Sequence, residues 1–289
     1  MQTLQDMERK LKSADDLHTV VRTMKSLAAV SIRQYEDATR SLDEYFQSVE
    51  MGLLAALRRH PLLGRQKDPR QTLIMVFGSD QGMAGRFNEA IIEFVQVSRT
   101  ELEVKRDHPL LWVAGAKAHG LMEDTFGEVH RFISLPPSVE GVSLKVQEIL
   151  LHLAEVREKE GELRLILFHN HPAGGSTYRQ QRVNLLPPDQ RWLKDLGKQQ
   201  WPSRQIPLYT MPWEELFAAL IGEYLFVALF RAFAASMAAE NAARLASMQR
   251  AEKNIEETIE ELTREFHGMR QNTISEELFD VISGFEALS

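Results

Sequence analysis

The chain has no cysteine among its 289 residues. That excludes disulfides, thiolate metal sites and a dithiol redox switch, and fits a reducing compartment. Proline is missing from both ends, since all eleven prolines lie between Pro61 and Pro212. Basic residues are in deficit: the formal net charge is −7, and no basic block occurs. A general nucleic-acid binder needs a clustered positive surface, so that class is disfavoured. Met1 to Lys10 carries charges where a signal peptide needs an apolar run, and no export is expected. An unbroken apolar span is also lacking. Leu216 to Ala235 comes nearest, but Glu223 and Arg231 interrupt it, each costing about 2.5–3.5 kcal/mol near a bilayer centre. The expectation is a helix apolar on more than one face because other protein covers it.

What is present is enough for a core. With 44% apolar residues the chain is globular, and its length suits one large or two ordinary domains. From Trp213 to Met269 the pattern is heptad. Starting at Phe217, the positions recurring every seven residues and their companions three residues later are apolar in thirteen of sixteen cases. Arg231, Asn241 and Glu252 are the exceptions. Such a stripe over eight heptads predicts a coiled-coil helix on the order of 80 Å long. Its polar breaks either set register or mark surfaces that meet other partners. Glu256, Glu257, Glu260, Glu261 and Glu265 fall on its outward side as a solvated face.

The amino-terminal part carries a second stripe. Leu4, Met7, Leu11, Ala14, Val21, Ala28, Ile32, Tyr35, Leu42, Phe46, Val49, Leu53 and Ala56 follow spacings of three and four, predicting a helix that ends near His60 and Pro61. Two striped helices at opposite ends of one chain predict antiparallel pairing with each other. The organisation expected is therefore a coiled-coil helix over residues 1–60, an α/β domain over 61–212, and a second coiled-coil helix over 213–289.

The middle alternates in period. Strands are predicted at Thr72–Phe77, Leu110–Ala114, Val129–Leu135 and Leu163–His169, with helices at Phe87–Glu103, Ala116–Thr125 and Val142–Lys159 between them. This is the pattern of a doubly wound, Rossmann-like parallel sheet. A short last strand includes Val183–Leu186, and Asp189–Pro207 reads as a loop.

Two stretches invite a chemical reading. Gly78, Ser79, Asp80, Gln81, Gly82, Met83, Ala84 and Gly85 join the first strand to a helix, where backbone amides bind phosphate in nucleotide enzymes. The spacing fits neither the dinucleotide fingerprint nor the P-loop, so a tight turn needing glycine is expected and no cofactor is assigned. His169, Asn170 and His171 before Pro172 resemble the start of the motif of the zinc-dependent deubiquitinase-like and RadC-like family. The positions of that family's following Ser and Asp are Arg179 and Arg182, which leaves zinc short of a third ligand. An exposed strand-to-loop transition is expected there, with no metal site and no catalytic constellation elsewhere. A Rossmann-type enzyme and a self-associating coiled-coil scaffold are the rival functional classes.

Residues Ser236 to Met248, then Ala251 and Asn254, resemble the carboxyl-terminal helix of the gamma subunit of F-type ATP synthases. The resemblance continues through Arg270, Gln271, Ile274, Glu277, Ser283, Gly284, Glu286, Ala287 and Leu288. It also takes in Lys12, Ser13, Thr23, Met24, Lys25, Ala28, Ala29 and Arg33 near the start, and Ser79, Asp80, Gly82, Gly85 and Asn88 in a Ser-Asp-x-Gly-x-x-Gly-x-x-Asn segment. Asp16 and Leu17 replace the family's Asn-Thr, Gln81 its Arg or Lys, Arg86 and Phe87 its Gly-Leu, and Ser275 its Thr, which suggests the alternative F-type ATPase branch.

The resemblance implies a fold of long antiparallel terminal helices plus a Rossmann-like domain, and a central rotor with no catalytic residue of its own. The implied partners are the alpha and beta subunits around the helices, and the epsilon subunit and the membrane ring of c subunits below. The implied location is the cytoplasmic face of the plasma membrane. Met24, Lys25, Arg270, Gln271, Ser275 and Glu277 are the candidate contacts with the surrounding ring.

Overall fold

The computed structural model describes residues 3–60, 69–101, 109–174, 177–201, 205 and 207–286. Its elements in chain order are α1 (Leu4–Arg59), β1 (Gln71–Phe77), α2 (Phe87–Glu101), β2 (Leu110–Ala114), α3 (Ala116–Phe126), β3 (Arg131–Ile133), α4 (Val142–Glu160), β4 (Leu163–Gly174), β5 (Thr177–Leu186), α5 (Gln190–Lys198) and α6 (Trp213–Glu286). They form two compact units, one of Met1–Ala28 with Leu245–Ser289 and one of Ala29–Arg244. Met1, Pro61, Glu103, Ala287 and Leu288, named above, lie outside the described residues.

In the larger unit the sheet order is β3-β2-β1-β4-β5. β1 to β4 are parallel, as their apolar runs predict, and both faces are covered. Ile74, Val76, Val113, Ile166 and Phe168 point to α2 and α3. Leu73, Met75, Phe77, Trp112 and Leu165 point the other way, to α4, to α6 and to Tyr35 of α1.

The sheet is mixed rather than all-parallel. β5 pairs antiparallel with β4 over a long hairpin, and its alternating half-buried and exposed residues suit an edge strand. The strand predicted at Val129–Leu135 shrinks to Arg131–Ile133. The expected loop at Asp189–Pro207 contains α5. The Asp189 side chain accepts a hydrogen bond from the Arg191 amide at 2.8 Å, capping the helix. Leu193 and Leu196 are buried against Leu53, Leu54 and Leu57 of α1.

A further correction concerns His169 to His171. β4 continues to Gly174, so His169 and Asn170 are buried strand residues and not an exposed transition. The His169 ring meets Phe77 edge-on, and burial pushes its pKa down to about 4. His171 faces Arg179 across the hairpin, and burial first, then that guanidinium, lowers its pKa. Positive charge stands where a third zinc ligand would be needed.

In this unit α6 is enclosed on all sides from residue 232 to residue 243. Seven of those twelve residues are alanine, which lets sheet, loop and neighbouring helix approach the helical backbone. Phe233 fills the gap toward the sheet, its ring 4.7 Å from that of Phe77 in an edge-on pair. Two of the three buried polar side chains here are held within the helix, while Ser236 Oγ makes no hydrogen bond among the described residues. Arg244 reaches Glu240 at 2.6 Å, and Asn241 donates to the Met237 carbonyl at 2.8 Å.

Phe233→Ala should destabilise the full chain by about 3–5 kcal/mol, read as a lower denaturant midpoint. His169 generates a pH prediction. Its folded pKa lies below the unfolded value near 6.5, so its contribution is complete above that value and is lost as pH falls toward 4, by up to roughly 3 kcal/mol. Denaturant midpoints of the natural chain and of His169→Gln, compared across that window, should converge as pH falls. Parallel curves would contradict the assignment.

Candidate functional site

The smaller unit is an antiparallel pair made of the start of α1 and the end of α6. Met7, Ala14 and Ala28, spaced by sevens, are its buried seam on the α1 side. Lys25 Nζ lies 2.8 Å from Glu252 Oε1 and 2.5 Å from Oε2. His18 Nε2 lies 3.4 Å from Glu256 Oε1. The Glu252 carboxyl is held below the ordinary range by the hydrogen bond from Lys25, with His18 and Arg22 adding positive potential.

These pairs fix the register. Extending it at equal rise along both helices brings Leu4, the first residue of α1, opposite the stretch from Arg270 to Thr273. α6 therefore outruns its partner, and residues 271–279 and 281–283 are all exposed. Ile274 (51% exposed), Leu278 (57%), Val281 (60%) and Ile282 (45%) form an uncovered apolar stripe, a surface that ordinarily marks an interaction site.

The six expected contact residues fall into two groups. Met24 and Lys25 are half-buried on α1, with Lys25 committed to Glu252. Arg270, Gln271, Ser275 and Glu277 are exposed on α6, beginning about 27 Å further along the axis than Glu252. At about 100° per residue, Ile274, Leu278 and Val281 lie between Arg270 and Glu277 on one side and Gln271 and Ser275 on the other. An apolar strip with a polar margin is the usual anatomy of a protein interface. The sequence reading found the margin but not the strip. The spacing of four and then three was its signal, masked by assigning the heptad seam only as far as Met269.

The polar breaks in the α6 stripe all have partners in the chain. Arg231 pairs with Asp43 at 2.5 Å and lies over the Phe46 ring. Asn241 and Glu252 are engaged as described. Glu223, the other charge in the apolar run, accepts a hydrogen bond from Tyr45 at 2.5 Å. In the larger unit a cavity of about 950 Å³ opens between α4, Pro187, Pro188 and the first turns of α6, lined by Leu150, Ala154, Phe217 and Phe226.

The glycine segment at the end of β1 is used structurally. Asp80 Oδ1 accepts from the Ala116 amide at 2.8 Å, and the Ser79 carbonyl accepts from Lys117 at 3.0 Å. The first amides of α3, which would otherwise face an anion, are thus satisfied by the chain itself. Asn88 clasps Ser79, accepting from its amide at 2.9 Å and donating to its hydroxyl at 2.8 Å. The approach is close. A Cβ on Gly78 would stand 2.1 Å from that of Ala118, and one on Gly115, whose φ is +103°, would stand 2.7 Å from the Ser79 backbone.

Strand order reverses between β1 and β4, the crevice where doubly wound proteins take ligands. Here Asn170 Nδ2 bridges it to the Phe87 carbonyl at 3.1 Å. Ala84 and Phe87 pack on Ala239 and Ala243 of α6. The crevice is a joint between sheet and helix.

With that geometry established, similarity to known proteins is informative. The sequence model described as ATP synthase matches residues 3–288. The ATP synthase gamma chain of Syntrophus aciditrophicus is 29% identical over 100% of this chain and 99% of its own. That of Halothermothrix orenii is 25% identical over 100% of both. A chain in the cryo-EM structure of Euglena gracilis mitochondrial ATP synthase shares the fold, with a TM-score of 0.64 at 17% identity, covering 99% of this chain and 94% of that one. Matched from end to end, the chain belongs to the ATP synthase gamma-chain family.

Proposed function

We propose that this chain is the central-stalk rotor subunit of an F-type ATP synthase. In that role it couples ion flow through a membrane ring of c subunits to ATP synthesis or hydrolysis in a hexamer of alpha and beta subunits. The observation that carries the reading is an antiparallel pair of terminal helices, one outrunning the other, in a chain matched over residues 3–288 by the ATP synthase model. The rotor contributes no catalytic group. It acts by turning an asymmetric surface past sites on its neighbours, as a peripheral member of the complex on the cytoplasmic face of the plasma membrane.

The tip of α6 is the part that meets the alpha and beta subunits. Its stripe of Ile274, Leu278 and Val281 supplies apolar contact without directional bonds, which suits a surface that must turn. Arg270, Gln271, Ser275 and Glu277 beside it form hydrogen bonds that break and reform at modest net cost. Met24 and Lys25 form a second contact zone on α1. Lys25 is held by Glu252, so it presents a fixed rather than a swinging charge. The α/β unit carries the epsilon subunit and stands on the c ring.

Replacing Arg270 and Gln271 together by Ala should lower coupled ATPase turnover in the assembled complex severalfold while leaving the helix content of the separate subunit unchanged. Unaltered rotation and turnover would remove these side chains from the mechanism. The assignment itself is tested by isolating tagged protein from its own cells under conditions that preserve membranes. ATP synthase alpha and beta subunits should co-purify in stoichiometric amount, and their absence would overturn the reading.

A further inference from the structure

One cluster in the smaller unit includes two side chains, His18 and Glu256, that the rotor reading does not use. His18 on α1 and Glu252 and Glu256 on α6 bring an imidazole nitrogen and two carboxylate oxygens within 4.8 Å of one another. Glu252 and Glu256 are one helical turn apart, so both carboxylates rise from one face of α6 toward α1. His18 Nε2 is closed off from solvent and makes no hydrogen bond among the described residues, yet it faces Glu256 at 3.4 Å. A cation placed among these atoms would take a lone pair from the imidazole and offset the two carboxylate charges.

We propose that His18, Glu252 and Glu256 form a divalent transition-metal site, of the zinc class, that bridges the two terminal helices. One imidazole and two carboxylates suit zinc, which takes three protein ligands in open sites and leaves the fourth position to water. Bonds of about 2.0–2.2 Å in a tetrahedron require ligand atoms roughly 3.3–3.6 Å apart. The His18 to Glu256 separation already lies in that range, and all three ligand atoms lie within 4.8 Å of one another.

The competitor for the site is Lys25, whose ammonium holds both oxygens of Glu252. Arg22 adds positive potential nearby. The two carboxylates and the Lys25 ammonium that pairs with one of them sum to −1, and the charge of Arg22 offsets part of the attraction for a dication. The ion must displace the ammonium from one oxygen, and binding is weakened accordingly. Because both sides of the bridge belong to one chain, the ion would stiffen the helix pair without tying it to a neighbour. The site stands whether or not the rotor reading does.

The test uses the full chain, freed of metal with a chelator and dialysed, then titrated with Co²⁺ as an optical stand-in for Zn²⁺. The expected result is visible d–d absorption saturating at one equivalent, reversed by Zn²⁺, together with a higher thermal midpoint in saturating Zn²⁺. His18→Ala and Glu256→Gln, each with unchanged helix content, should weaken Co²⁺ binding at least tenfold. Lys25→Met, which frees Glu252, should tighten it. His171→Ala should leave it unchanged. No stoichiometric binding by the natural chain, or binding unaffected in both His18→Ala and Glu256→Gln, would overturn the proposal.

Discussion

The rest of the larger unit depends on α6 being enclosed on every side between residues 232 and 243. A helix can be surrounded this way only if its side chains are short and its polar groups are answered within reach. Alanine meets the first condition at seven of the twelve positions. The Glu240–Arg244 pair and the Asn241 bond to the Met237 carbonyl meet the second for two of the three buried polar side chains, Ser236 being the third. Burial raises the Glu240 pKa, and the Arg244 guanidinium opposes that rise. The pair is therefore a condition for burying this face and not a net source of stability. The demand for closeness then propagates. Ala84 and Phe87 touch Ala239 and Ala243, so the segment leading into α2 has to lie flat. That in turn places Gly78 and Gly115 where a Cβ would collide with Ala118 or with the backbone of Ser79.

The same logic explains why an apparent ligand crevice is filled. In doubly wound sheets the strand ends at the order reversal are ordinarily left open. Here the first α3 amides are taken by Ser79 and Asp80, and Asn170 ties β4 to Phe87. These bonds are made across the chain, 36 residues apart for Asp80 with Ala116 and 83 for Asn170 with Phe87. A Ser-Asp-x-Gly-x-x-Gly-x-x-Asn segment that looks like a phosphate loop in one dimension is a clamp in three.

Local pattern made much of this fold legible. Continuous apolar runs at Leu73–Phe77 and Leu110–Ala114 named the parallel strands, because both sheet faces are buried there. Sustained sevenfold spacing named α1 and α6. The misses have a common cause. β5 is mostly polar, since its exposed edge gives apolar residues little to bury against, and only pairing with β4 makes it a strand. α5 is nine residues long with Gly197 inside it, too short for periodicity to register. His169 looked exposed because Pro172 and the glycines after it suggest a loop, yet β4 runs on through Pro172 to Gly174. At the candidate site the chemical type of Arg270, Gln271, Ser275 and Glu277 was visible from the resemblance. Their grouping around an apolar strip needed the register set by Lys25 and Glu252, a pairing 227 residues apart in sequence.

That register gives the polar interruptions of the α6 stripe their meaning. Read in sequence alone, Arg231 and Glu252 could have been surfaces waiting for other subunits. Each instead meets an opposite charge on α1, Asp43 and Lys25 respectively. Partly exposed pairs of this kind contribute on the order of 0–1 kcal/mol, too little to hold two long helices together. Within each unit, a slip of α1 along α6 would separate that unit's pair and leave its charges against the apolar seam, so the effect of each pair is to reject wrong registers. Alignment then dictates how far α6 projects past Leu4, and hence which residues are left bare. The uncovered stripe at Ile274, Leu278 and Val281 is thus a consequence of the Lys25–Glu252 pair some distance down the same helix: it fixes the length of the free end, and no described residue of the chain covers that end.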